Sequence, residues 1–351
     1  MELSAGDRER VLPIIKNIQN ELTINTVINA NSPGNVYVDD INNPKSFFIK
    51  TPECNMIGGS AENAVFNEEI KNEIKYFDTV LCDSEEWAAK IMEIHGNSAV
   101  KPFKRKYFEN VHTAGIYSPV DEVDSKFLYY EDLHTIEYIN KEIVLDWITI
   151  VNRDSVHNIP IAAVTIKNNE IVSCSALDCI DGKNVEIGIK TMYQFRRRGY
   201  AAFTVSSFVA KLREAGIRKI GWHCMAFNTG SMSTAKKCGF TEKVTYDLFS
   251  PYPPVENETD YSAKEWFSLG TFYESKSIHA VDHYWQAARC YAHSRNEERV
   301  FVCVNELIKK QAVWFLDFIG ECFEFSFLSN NQEWDKLIKK AEKMRASHAS
   351  T

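Results

Sequence analysis

The residues with the most explicit chemistry are Arg196-Arg197-Arg198-Gly199-Tyr200-Ala201, which directly follow a β-branched run and directly open an amphipathic one. A helix N-terminus presents unpaired N–H groups and a partial positive charge. A glycine there lets a pyrophosphate approach the backbone, and a small alanine after it avoids crowding the anion. Three arginines add charge-assisted donors. The run therefore predicts a diphosphate cradle at the start of a helix.

The elements that would hold this cradle can be read from periodicity. Ile161 to Lys167 and Glu170 to Leu177 are β-branched runs joined by Asn168-Asn169, a hairpin signal, and Val185 to Met192 is a further strand. Gly199 to Glu214 reads as an amphipathic helix closed by Gly216, Ile217 to Cys224 as another strand, and a short helix after Asn228 ends at Gly239. Lys141 to Val151 reads as a helix ahead of these strands. Strand, strand, strand, helix, strand, helix describes a mixed α/β (α+β) domain over 126–250. Segment 1–125 also alternates helix and strand signals: a helical stripe from Asp7 to Asn29, short strands at 35–39 and 45–50, and helices over 68–76 and 84–95. No catalytic motif is evident in it. Ser250-Pro-Tyr-Pro-Pro reads as the start of a connecting segment over 251–271. Residues 261–351 are helical throughout in pattern, with 272–351 as the helical C-terminal domain and helices expected at 277–294, 299–310, 312–328 and 331–345.

This pattern of residues resembles the signatures of the GNAT superfamily of acyl-CoA N-acyltransferases. Arg196-x-x-Gly199-x-Ala201 is similar to its Gln/Arg-x-x-Gly-x-Gly/Ala signature. Val185-Glu-Ile-Gly-Ile-Lys-Thr-Met resembles its fourth strand, and Ile220-Gly-Trp-His-Cys its fifth. Asn228-Thr-Gly-Ser231 followed by Ala235-Lys-Lys-Cys-Gly239-Phe240 is similar to the helix after the fifth strand. Ile171-Val-Ser and Tyr246 also match the subgroup that includes the zwittermicin A resistance acetyltransferase. The specific match spans roughly 161–247. The resemblance implies a mostly antiparallel GNAT-type sheet whose fourth and fifth strands splay apart, with 1–125 as a diverged, motif-less GNAT-like half and a C-terminal all-helical segment.

The same resemblance implies acetyl-CoA as cosubstrate. Its pantetheine would lie between the splayed strands near Thr191 and Met192, and its pyrophosphate on the amides from Arg197 to Ala201, with Arg196 and Arg198 alongside and Tyr200 in the same turn. Asn228 falls where the family contacts the pantetheine arm. Ser231 falls near the cofactor, where a capping role competes with a contact. Glu186 stands where the family carries its catalytic base. The family's usual acid, a Tyr in the helix after the fifth strand, falls at Ala235 here, so Tyr246, Cys224 and His223 stand as substitutes in the neighbourhood.

Composition bounds the substrate. The chain has 351 residues and a net charge of −8, and 1–125 carries the whole deficit, with 12 Lys/Arg against 20 Asp/Glu. Such a balance argues against nucleic acid as a partner. Beside the cradle, an acidic segment is a natural wall for a cationic amine. The run 311–328 holds Asp317, Glu321 and Glu324 at helical spacing, so no membrane span is expected, and no signal peptide is evident. Nine scattered cysteines without a Cys-x-x-Cys point to free thiols in a reducing cytoplasm and to no metal site. The expected activity is acetyl transfer to a primary amine of a small cationic molecule, an antibiotic being one candidate through the subgroup resemblance. The alternatives are a peptide or protein N-acetyltransferase and a non-catalytic acyl-CoA-binding scaffold. The oligomeric state stays open, a homodimer included.

Overall fold

A computed structural model of the chain describes residues 1–16, 19–51, 53–74, 78–94, 100–110, 115, 117–118, 122–141, 143–145, 153–192, 195–251, 261–277, 281–317, 319 and 322–348. The chain divides into two compact units, Met1–Pro253 and Pro254–Thr351.

The first unit is organised on one sheet. In chain order, a 3-10 helix (Ala5–Ile14) and α1 (Glu21–Ile28) precede β1 (Asn35–Val38), β2 (Ser46–Lys50) and β3 (Asn55–Gly59). Next come α2 (Ala64–Glu73), β4 (Val80–Cys82), α3 (Glu85–Ile94) and β5 (Val100–Asn110). The remainder is β6 (Asp124–Leu128), β7 (Ala162–Lys167), β8 (Glu170–Asp181), β9 (Asn184–Thr191), α4 (Tyr200–Glu214), β10 (Lys219–Met225), α5 (Thr229–Lys237) and β11 (Thr241–Pro251). Eleven strands among the described residues pair in the order β1-β2-β3-β4-β11-β5-β10-β9-β8-β7-β6.

That order has internal symmetry. The β3/β4 and β10/β9 pairs are parallel, and the other neighbours are antiparallel. Each half ends in a strand that enters the other half: β11 separates β4 from β5, and β5 separates β10 from β11. The boundary expected at residue 125 therefore does not divide two compact units, because the last strand of each segment is hydrogen-bonded into the other.

Local chemistry explains the elements around the site. Asn168 and Asn169 both have positive φ (51° and 62°), the geometry of a tight β7–β8 turn that asparagine tolerates. Helix α4 buries Val205, Phe208, Val209 and Leu212 against a core that includes Ile187, Ile220 and Trp222. Three expected helices differ. The stripe from Asp7 to Asn29 is interrupted, since Pro13 sits in the 3-10 helix and α1 starts afresh after Asn20. The expected helix over Lys141 to Val151 lies mostly outside the described residues, and 143–145 are helical. The run 312–328 forms two 3-10 helices, Val313–Asp317 and Phe323–Leu328, in an aromatic-rich stretch with Gly320 in its middle.

The second unit contains α6 (Ala263–Lys276), α7 (Asp282–His293), α8 (Glu297–Lys309) and α9 (Gln332–His348). Helix α6 occupies part of the segment expected to connect the units. Ser262 and Glu265 form a reciprocal capping box at its start, a signature visible in the sequence. Trp285, Tyr291, Val304, Leu307, Phe315 and Trp334 belong to the core of this unit. No helix among the described residues is long and apolar enough to cross a membrane.

Candidate functional site

The site begins where two strands separate. β9 and β10 pair only at Asn184/Lys219, Val185/Ile220 and Glu186/Gly221. Beyond this, β9 stays with β8 through Thr191, and β10 stays with β5 through Met225. The Met192 N–H donates to Val172 O (3.0 Å), so ladder alternation turns the main chain of Ile189 and Thr191 toward the gap. Met192's own N–H is thus committed to β8. The Thr191 hydroxyl lies 2.8 Å from that of Ser173.

At the far end of the gap lies the turn into α4. Gly199 is its N-cap with φ 85°, a left-handed conformation, and brings no side chain to cap the first-turn N–H groups. Arg197 also has positive φ (62°). Arg196, Arg197 and Arg198 are exposed, with Arg196 Nε donating to Thr191 O (3.3 Å). Tyr200 is buried, its ring in the interior and its hydroxyl accepting from Lys167 Nζ (3.3 Å). Uncapped amides, a glycine in left-handed geometry and three exposed guanidinium side chains fit a pyrophosphate.

A cavity of about 310 Å³ opens at the gap, bounded by Gly188 and Ile189 of β9 and Trp222 to Met225 of β10. Asn228 and Ser231 of the following turn also line it. Asn228 caps α5: its Oδ1 accepts from Ser231 N (3.0 Å), so Ser231 is the capped residue and not the cap. The Ser231 hydroxyl accepts from Trp222 Nε1 (3.0 Å), fixing the indole against Phe240.

The cavity wall is completed from the acidic N-terminal half. Glu53, on the loop between β2 and β3, lines it with Thr79 and with Arg105 of β5, and β8 contributes Asp178. Thr51 Oγ1 accepts from the N–H groups of Glu53 and Cys54 (3.2 and 2.9 Å) and shapes that loop. Glu53 pairs with Arg105 Nη2 and accepts from Thr23 Oγ1 (3.2 Å). Burial alone would raise the Glu53 carboxyl, but Arg105 and His223 outweigh it and hold the group below its ordinary range. Both side chains are largely buried (Glu53 17%, Arg105 12% exposed). Glu53→Gln leaves the guanidinium without its counter-charge, so we expect a loss of about 3 kcal/mol in unfolding free energy, read from denaturant midpoints.

Behind the cavity surface lies a polar chain. Glu186 Oε1 is 3.1 Å from His223 Nε2, and His223 Nδ1 is 2.8 Å from the Tyr246 hydroxyl. Tyr246 donates to Asn20 Oδ1 (3.0 Å). The Tyr107 ring lies 4.6 Å from the imidazole. Gly221 makes the approach possible, since a Cβ there would sit 2.9 Å from Glu186 Cγ and 3.0 Å from the Tyr107 ring. His223 lines the cavity, whereas Glu186 and Tyr246 stand behind its lining. Burial pushes the Tyr246 phenol well above its usual value despite Arg105, so the hydroxyl stays protonated at neutral pH.

Cys224 lines the same cavity. Burial raises its thiol, with Ser231 and Trp222 pulling the other way. A thiol so placed is a poor nucleophile. Cys224→Ala should retain turnover within about threefold, with no acyl-enzyme in intact mass spectra. Among the described residues no group of His, Cys, Asp and Glu could hold a metal ion.

Asn20, Thr23, Glu53, Arg105, Tyr107 and Asp178 escaped sequence reasoning. One signal was available for Arg105: strand alternation puts it on the same face as Phe103 and Tyr107, a charge where an apolar residue belongs.

Comparisons with known proteins bear on this geometry. A family model described as GNAT acetyltransferase matches residues 12–147 and 157–249. The uncharacterized N-acetyltransferase YdfB of Bacillus subtilis (strain 168) is 23% identical over 237 residues, 64% of this chain and 88% of that protein. The GCN5-related N-acetyltransferase-like protein from Streptococcus suis 89/1591 superposes with a TM-score of 0.51 at 16% identity, covering 70% of this chain and 99% of that one. That likeness speaks to the fold. A GCN5-related N-acetyltransferase from Sphaerobacter thermophilus gives a TM-score of 0.47 at 14% identity, over 72% of this chain and 95% of that one.

Proposed function

This chain belongs to the GNAT acetyltransferase family and is an acyltransferase, and we propose that it transfers the acetyl group of acetyl-CoA directly to a primary amine of a small cationic molecule. The family generally uses acetyl-CoA, and the residues here suit it: the α4 amides and Arg196 to Arg198 for the pyrophosphate, and the main chain of Ile189 and Thr191 for the pantetheine. When bound, the cosubstrate supplies an activated thioester. The protein's part is to hold amine and thioester together and to accept a proton.

The observation that carries the amine assignment is the cavity wall, whose lining includes two acidic residues, Asp178 and the Arg105-paired Glu53. Acidic groups in a confined space favour an ammonium and raise its local concentration. The resemblance to the zwittermicin resistance subgroup makes an aminopolyol antibiotic the first acceptor to try.

The test is to incubate the protein with acetyl-CoA and a panel of polyamines, aminopolyols and peptides, and to follow free thiol. Turnover with small cationic amines supports the proposal, and turnover with peptides alone overturns it. Within the small-amine reading, Asp178→Asn should raise the acceptor KM about tenfold at low salt, less at high salt, and leave acetyl-CoA affinity unchanged.

A further inference from the structure

Four side chains join end to end at the back of the cavity: Glu186 on β9, His223 on β10, Tyr246 on β11 and Asn20 just before α1. Glu186 is 3% exposed and Asn20 1%. Asn20 stands at the N-cap of α1, yet its side chain makes no capping bond there and reaches Tyr246 instead.

A phenol has one O–H. With that O–H given to Asn20 Oδ1, the Tyr246 oxygen accepts from a His223 Nδ1–H. The contact between His223 Nε2 and Glu186 Oε1 also needs one proton, so this arrangement carries one proton between the imidazole and the carboxylate, an imidazolium against a carboxylate in one form. Turning the Asn20 amide by half a revolution gives a second arrangement. Its N–H then donates to Tyr246, the phenol donates to His223 Nδ1, and a neutral imidazole donates from Nε2 to Glu186. Every link has one donor and one acceptor in both. The two differ by one proton. The Asn20 amide can serve both, because among the described residues its Nδ2 is buried without a hydrogen-bond partner and no second bond fixes its orientation.

We propose that the chain Glu186–His223–Tyr246–Asn20 is a one-proton acceptor for the transfer reaction, with Asn20 as the positioning residue whose amide turns as the proton is taken up and released. This rests on reading the cavity as the acetyl-transfer site. The bound ammonium gives one proton, by way of solvent in the cavity that His223 lines, to the chain and becomes a neutral amine. Its lone pair forms the C–N bond at the thioester carbon, and the C–S bond breaks. The departing thiolate takes the second proton from nitrogen, and the chain returns the first to solvent before the next turnover. Groups on the surrounding elements set the electrostatics of His223: Tyr107, Arg105 and Glu109 of β5, Glu53 of the β2–β3 loop, Cys179 of β8 paired opposite Glu186, and Cys224 on its own strand.

Asn20→Asp tests this directly. A carboxylate accepts from Tyr246 and cannot donate, so only the proton-loaded arrangement stays complete. The acid limb of kcat/KM for the amine should move up by about one pH unit, with activity recovering at higher pH and acetyl-CoA affinity unchanged. A profile superimposable on that of the parent protein overturns the proposal. A second readout needs no turnover: 15N spectra of histidine-labelled full-length protein, with the His223 signals assigned by their loss in His223→Gln. Both ring nitrogens should carry protons at the acid end and Nδ1 should lose its proton at the basic end. An Nδ1 that keeps one state from pH 5 to 9 overturns the chain. Should no amine be turned over while Nδ1 titrates, the function assignment fails and the chain stands.

Discussion

Gly199→Asp should weaken acetyl-CoA binding by about 100-fold, close to 2.7 kcal/mol. Two effects add. Gly199 holds φ 85°, which a side chain disfavours by about 1 kcal/mol, so the substituted turn relaxes in the free protein and must be restored to bind. The new carboxylate would also stand at the α4 amides, in the place assigned to the pyrophosphate. Asparagine at the same position carries the backbone strain without the charge, so Gly199→Asn should weaken binding only about tenfold, and the difference between the two should shrink with added salt. Calorimetric titration of acetyl-CoA into each variant reads both numbers, and a thermal melt confirms that each is folded. Equal affinity in Gly199→Asp and the parent would remove the cradle from this turn.

The contrast between this cradle and the acceptor side shows what a sequence reveals. Arg196 to Ala201 are contiguous, and their chemistry follows from lying between a strand and a helix, so the turn into α4 could be placed within a residue. The cavity wall is different in kind. Glu53 and Arg105 are 52 residues apart, and Tyr246 and Asn20 are 226 apart. They meet because β5 and β11 exchange places between the halves of the sheet. Period-2 alternation sets which face a side chain takes and is silent on which strand lies beside it. For that reason 1–125 read as a separate acidic segment without a motif. In the structure its loop after β2 and its strand β5 wall the cavity, and Glu53 sits within that wall. The aromatic run 312–328 failed for another reason: its apolar spacing suits an α-helix, but aromatic side chains and a central glycine are weak α-formers, and 3-10 turns result.

Glu186→Gln should lower kcat by about 100-fold at neutral pH and by progressively less as pH rises, while leaving the fold intact. The substitution keeps the shape of a side chain held against Gly221 and Tyr107. Its amide can donate to His223 Nε2, which leaves the imidazole to donate from Nδ1 to Tyr246 and Tyr246 to donate to Asn20. Each contact along the chain keeps one donor and one acceptor, as in the parent protein, so unfolding free energy should change by less than about 1 kcal/mol. What it lacks is the carboxylate that balances an imidazolium, and so the chain loses its capacity to take a proton. The sign of the pH effect follows. Near neutrality the acceptor arrives as an ammonium and needs a base; at high pH a growing fraction arrives already neutral, and the variant approaches the parent enzyme. A kcat profile for Glu186→Gln with the same shape as the parent, merely scaled, would mean that Glu186 serves packing alone and that the amine loses its proton elsewhere.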